Sequence, residues 1–136
     1  MKPTVYIETT IPSYYHDGRL ELAADIARTR QWWDHERGDY ECFISQVVWA
    51  ELAEGNYPNK QGCLALVAGV SVLSITDDIE RIAAMYRTHK LMPRLPSRDS
   101  LHVAVASYYR MDFLLTWNCL HLANANKSKT PSRVEP

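Results

Sequence analysis

Residues 99–124, DSLHVAVASYYRMDFLLTWNCLHLAN, carry two periodicities in one short stretch. Leu101, Val103, Ala104, Val105 and Ala106 give the apolar face of a helix that begins at Ser97, after the breaks at Pro93 and Pro96, and runs to Arg110. Residues 113–116, FLLT, then have the length and apolarity of a buried strand, and polar Asn118 follows it. Working outward, residues 4–7 form a first strand that stops at Glu8, Thr9 and Thr10. Residues 19–37 repeat Leu20, Ala23, Ala24, Ala27 and Trp32 or Trp33 at helical spacing, with Gly38 as the stop, and predict one amphipathic helix. Residues 40–44 read as a second strand, and Ser45 as the cap of a helix through Val48 and Leu52 that ends near Gly55. A further helix enters through Pro58 and ends at Gly69, residues 70–75 form a third strand, and Thr76 caps a helix whose acids lead and whose bases trail. Strands separated by helices predict an α/β fold with a mainly parallel sheet of about four strands, covered on both faces.

Composition bounds the function. The chain has 136 residues, 46% hydrophobic and 23% charged, enough for one globular domain and its core. No apolar run approaches the roughly 18 residues of a membrane span, and MKPTVYIETT lacks the basic-then-apolar pattern of a secretory signal, so the expected location is the cytoplasm. Cys42, Cys63 and Cys119 are odd in number, widely spaced and without a CxxC pair, which argues against a disulfide framework or a structural zinc site. With 15 basic and 16 acidic residues the net charge is −1, so a polyanion must be held by local charge. No GxSxG elbow, GxxxxGK[ST] loop or GxGxxG fingerprint is present, nor the DxD pair of an aspartyl-nucleophile phosphatase after the first strand.

In parallel α/β sheets a site forms outside the carboxyl ends of the strands. Glu8 follows the first strand, Glu51 lies in the helix after the second, Asp99 opens the penultimate helix and Asn118 follows the last strand. Taken singly, Glu51 also reads as an exposed helix residue, Asp99 as a macrodipole partner and Asn118 as a turn residue. A carboxylate directly after a buried strand needs a partner or a cation, which makes Glu8 the most telling of the four. Three carboxylates at one place repel unless a cation lies between them, and hard oxygen donors suit Mg²⁺ or Mn²⁺.

VYIETTIPSYY at residues 5–15, SQVVWAEL at 45–52 and the segment 99–124, in that order, resemble the PIN-domain ribonucleases, in particular the VapC-type toxins of type II toxin–antitoxin pairs. The resemblance covers residues 4–126. It implies a PIN-like three-layer α/β/α domain over residues 1–126, with residues 127–136 as a polar, frayed tail. It further implies a metal-dependent endoribonuclease using Mg²⁺ or Mn²⁺, an RNA substrate, a small antitoxin partner and a homodimer. By the same likeness Glu8, Glu51 and Asp99 hold the metal, Asn118 takes the fourth catalytic position, and Thr9 and Thr116 support the site. The sequence departs from the family pattern at Glu8, where Asp is usual, at Asn118, where a carboxylate is usual, and at His121, where many relatives carry another acid. Glu8 adds one methylene, which moves a metal or demands a bridging water, while Asn118 and His121 lower the negative charge of the site; together they motivate the alternative, a catalytically weak PIN-like module that binds RNA or protein.

His102, three residues after Asp99, shares its helix face and is a supporting candidate. Asp112 lies before the last strand, at the end away from the carboxylates, and reads as a dispensable loop residue. Lys90, Arg94 and Arg98 belong to a basic run between Glu80 and Asp99 that can meet phosphates or remain a solvated face. Tyr14 and Tyr15 can stack on unpaired bases or pack in the core, and Trp49 can line a groove for a protein partner.

Overall fold

The computed structural model describes residues 1–88, 97–118 and 132–134. Among these, the strands are β1 (Thr4–Ile7), β2 (Glu41–Ser45), β3 (Ser71–Leu73), β4 (Phe113–Thr116) and β5 (Ser132–Val134). The helices are α1 (Thr10–Tyr15), α2 (Ala23–Gln31), α3 (Gln46–Ala53), α4 (Lys60–Val67), α5 (Asp77–Thr88) and α6 (Ser97–Tyr108). The sheet order is β3-β2-β1-β4-β5. The first four strands are parallel, so each is joined to the next by helices, and β5 adds an antiparallel edge. This is the α/β/α architecture expected from the alternation of strand and helix.

β1 is the inner strand, paired on one side with β2 and on the other with β4. Val5, Tyr6 and Ile7 are buried, as both faces of a central parallel strand must be. Ile44, Leu114, Leu115, Val105, Ile11 and Val48 close the core around them. The chain proceeds from β1 outward through β2 to β3 and then returns to the far side of β1 as β4. The strand order therefore reverses between β1 and β4, the position where the loops part and leave a crevice at the strands' carboxyl ends.

Local chemistry sets the element ends. The Ser45 hydroxyl accepts from the Val47 N–H at 3.2 Å, the N-cap expected for α3, and Thr76 accepts from Ile79 N–H at 3.3 Å at the start of α5. α6 ends on a residue the sequence did not mark: Arg110 takes φ 55°, and the Met111 N–H reaches back to the Ala106 carbonyl at 2.9 Å. That left-handed closure turns the chain directly into β4, although a bulky residue seldom occupies it.

Two expectations are corrected and one short helix is added. The helix predicted over residues 19–37 is regular α-helix only over Ala23–Gln31; a 3₁₀ turn precedes it, and Trp32–Glu36 widen into a π-turn. Burying both Trp32 and Trp33, neighbours on the helix, takes that local rewinding. Residues after Thr9 form α1, which has no apolar repeat long enough to signal a helix. Within the stretch expected as a frayed tail, Ser132–Val134 pair with β4, Leu115 opposite Arg133. Backbone groups make that ladder, so the polar composition of the segment carries no sign of it.

At the opposite end of the sheet, Asp112 Oδ2 accepts from the Thr4 N–H at 2.8 Å and from the Thr4 hydroxyl at 3.1 Å, clamping the starts of β1 and β4. Asp112→Asn is expected to lower thermal stability by about 1 kcal/mol or less, since the clamp is exposed to water. Thermal melting of the variant beside the unaltered protein checks this, and a loss of several kcal/mol would make the clamp more than an exposed contact.

Candidate metal centre at the strand switch

The carboxyl ends of β1 and β4 are stitched together around Glu8, which is 2% exposed. Its Oε1 accepts from the Thr10 N–H at 3.1 Å, the Thr10 hydroxyl at 2.5 Å and the Thr116 hydroxyl at 2.8 Å. The Thr10 hydroxyl in turn accepts from the Trp117 N–H at 2.9 Å, and the Glu8 N–H extends the ladder to Leu115 carbonyl at 3.1 Å. A buried carboxylate is tolerated there because three donors replace its water. The sequence named Thr116 as a support but assigned Thr10 no role; the signal available was the run of hydroxyls after a buried strand.

The other expected residues arrive from two helices and the β4 end. Asn118 Nδ2 reaches Glu8 Oε2 at 3.4 Å and Asp99 Oδ1 at 3.3 Å, long contacts that leave the two acids on either side of one neutral amide. Asp99 is 8% exposed in the first turn of α6. From α3, Glu51 Oε1 accepts from the Thr9 hydroxyl and from His102 Nε2, the latter at 2.7 Å. Burial pushes the Glu51 carboxyl up, but His102, Thr9 and Arg98 outweigh it and hold the group below the ordinary carboxylate range. Glu51 is therefore ionised at neutral pH.

The ligand atoms of Glu8, Glu51 and His102 all lie within 4.8 Å of one another. His102, fully buried, thus packs directly against the two carboxylates. The cation that approaches this group among the described residues is Arg98, whose guanidinium is 3.9 Å from Glu51 and 2.7 Å from Glu54. Glu8, buried, and Glu51, half-buried, bring their carboxylate oxygens together here, with Asp99 reached through Asn118. That donor set fits a hard divalent cation.

The remaining candidates are placed as follows. Tyr14 stacks on Trp117 with ring centroids 5.4 Å apart, so its ring face is already used on one side. The Tyr15 hydroxyl donates to Asp34 at 2.9 Å and the ring meets Trp33 edge-on. Of the basic run, Arg87 donates to the Ser100 hydroxyl at 2.6 Å, and Arg98 stands at the rim of the site. Lys90, Arg94, Cys119 and His121 lie outside the described residues. Trp49 is 41% exposed and Val72 52%, and with Gln46 and Ala50 they line an apolar hollow beside the edge strand β3.

No family model matches the chain, and no curated protein matches its sequence. Solved structures do match. A toxin–antitoxin complex from Klebsiella pneumoniae superposes with a TM-score of 0.66 at 19% identity, covering 98% of this chain and 100% of that one. Mycobacterium tuberculosis VapC20, described as a sarcin–ricin loop cleaving toxin, gives a TM-score of 0.64 at 14% identity over 82% of this chain and 87% of that one. The chain has the PIN-like fold of the VapC-type toxins. FitAB, solved bound to an IR36 DNA fragment, is a third similar structure, with a TM-score of 0.57 at 19% identity over 79% and 81% of the two chains. In this VapC-type fold the reversal between β1 and β4 is where Glu8, Glu51, Asp99, His102 and Asn118 are gathered.

Proposed function

We propose that this protein is a metal-dependent endoribonuclease that serves as the toxin of a toxin–antitoxin pair. The observation that carries the reading is the approach of Glu8, Glu51 and His102 to within 4.8 Å of one another, with Asp99 linked to Glu8 through Asn118, at the strand switch of a fold shared with an RNA-cleaving toxin. Glu8, Glu51 and Asp99 would hold Mg²⁺ or Mn²⁺. A bound ion of that kind supplies a Lewis acid and an activated water for attack on a phosphodiester, so no protein nucleophile is required.

The chain's own residues do the rest. Thr10 and Thr116 fix one oxygen of Glu8, and Asn118 spaces Glu8 from Asp99 without adding charge. Arg98, its side chain 55% exposed, can leave Glu54 for a substrate phosphate at small cost, because an exposed ion pair contributes little. Lys90 and Arg94 extend the same basic run in sequence. The Tyr14–Trp117 stack offers a flat aromatic surface beside the β4 end for an unpaired base. The hollow at Trp49 and Val72 supports a protein partner, the antitoxin or a second copy, since exposed aromatic and aliphatic side chains anchor such contacts.

The test is expression with and without the small reading frame next to the gene, followed by purification. Growth arrest by the chain alone, rescue by the neighbour, and Mg²⁺- or Mn²⁺-dependent cleavage of structured RNA by the freed protein are expected. A protein that never slows growth, finds no neighbour and leaves a broad RNA panel intact, yet binds RNA, would instead be the binding module.

A further inference from the structure

A buried line of side chains leads from the backbone of α3 back to Glu51. Ser45 Oγ accepts from the Val47 N–H at 3.2 Å. The same oxygen lies 2.7 Å from the Tyr6 hydroxyl, which lies 2.6 Å from His102 Nδ1, and His102 Nε2 is 2.7 Å from Glu51 Oε1. Ser45, Tyr6 and His102 are all 0% exposed.

A hydroxyl carries one proton. With Val47 donating to it, Ser45 must place its own proton, and among the described residues the acceptor in reach is the Tyr6 oxygen. The Tyr6 proton then has His102 Nδ1 as its acceptor. A neutral imidazole that accepts at Nδ1 carries its proton at Nε2, and that proton faces Glu51. The opposite direction strands the Ser45 proton in the core, where an unmade hydrogen bond is costly.

We propose that Tyr6 is a positioning residue, which through Ser45 and His102 locks the imidazole as the Nε2–H tautomer and so holds one Glu51 oxygen, leaving the other for the cation. On this view His102 orients a ligand and does not itself ligate. The proposal rests on the reading of Glu51 as a metal ligand given above. It also explains why a tyrosine occupies the middle of β1: the strand interior is apolar, and this hydroxyl is aimed at an imidazole from α6.

The test uses the full chain with Tyr6→Phe, His102→Gln and both together. A glutamine amide donates from nearly the same place as Nε2 and has no tautomer to choose. Mn²⁺ affinity by calorimetry is expected to fall about 10-fold in Tyr6→Phe, as for other residues that orient a metal ligand. In the His102→Gln background the same change should cost less than about 2-fold, and this non-additivity is what a mere packing role of the hydroxyl would not produce. Nitrogen NMR of the metal-free wild type should show His102 protonated at Nε2 alone, and Tyr6→Phe should disturb that signature.

A wild type protonated at Nδ1 overturns the proposal, and so does loss of all Mn²⁺ binding in His102→Gln, which would make the imidazole a ligand. Equal costs of Tyr6→Phe in both backgrounds also overturn it while leaving the metal reading intact. If the wild type binds no Mn²⁺, the metal reading falls, and the NMR comparison still decides the tautomer lock by itself.

Discussion

Replacing Asp99 with Asn is expected to lower RNA cleavage by about 100-fold or more with the fold preserved. Several kcal/mol of transition-state stabilisation is what a catalytic cation supplies, and each ~1.4 kcal/mol is a factor of 10 in rate. The shape of the side chain is kept, because the carbonyl of the new amide can still accept from Asn118, as Asp99 Oδ1 does at 3.3 Å. The charge and one acceptor oxygen, the features a hard cation uses, are lost. Cleavage assays on matched amounts of wild type and variant, with circular dichroism as the fold control, give the answer. Wild-type activity in Asp99→Asn would remove this residue from the metal set and move the weight to Glu8 and Glu51.

Mn²⁺ is expected to raise the melting temperature by about 8 °C when present at about 100 times its dissociation constant. Binding to the folded state alone contributes about 2.7 kcal/mol at that ratio, and a domain of this size gains roughly 3 °C per kcal/mol. EDTA should return the transition to its starting point. In Glu8→Gln the gain should shrink to about 2 °C or less, because a buried ligand charge has gone. A wild type whose melting is unchanged by millimolar Mn²⁺ would contradict a shared cation site at Glu8, Glu51 and Asp99.

The two predictions separate holding the metal from using it. A protein that is stabilised by Mn²⁺, loses the effect in Glu8→Gln and yet leaves RNA intact would keep the site and lose the nuclease. The departures at Glu8 and Asn118 make that comparison informative, since Asn118 contributes an amide where a further carboxylate would draw the cation more strongly.

Sequence periodicity by itself determined the strands at residues 4–7 and 113–116, the caps at Ser45 and Thr76, and the alternation that makes the sheet parallel. These are local or short-range consequences of burial and hydrogen bonding, so they leave a mark in a window of a few residues. The candidate acids were legible for the same reason: each stands at a strand end or in a helix that follows from the pattern. Tertiary structure decided what they touch. Glu8 and Asn118 are 110 residues apart and meet only because β4 returns beside β1. Tyr6 reads as one more apolar strand residue, Ser45 as a cap and His102 as a supporting residue beside Asp99, until the sheet and α6 bring the three into one line ending on Glu51. The strand at Ser132–Val134 and the left-handed turn at Arg110 were hidden for a different reason. Both are made by backbone groups, whose pairing depends on where the chain lies and hardly on which side chains it carries.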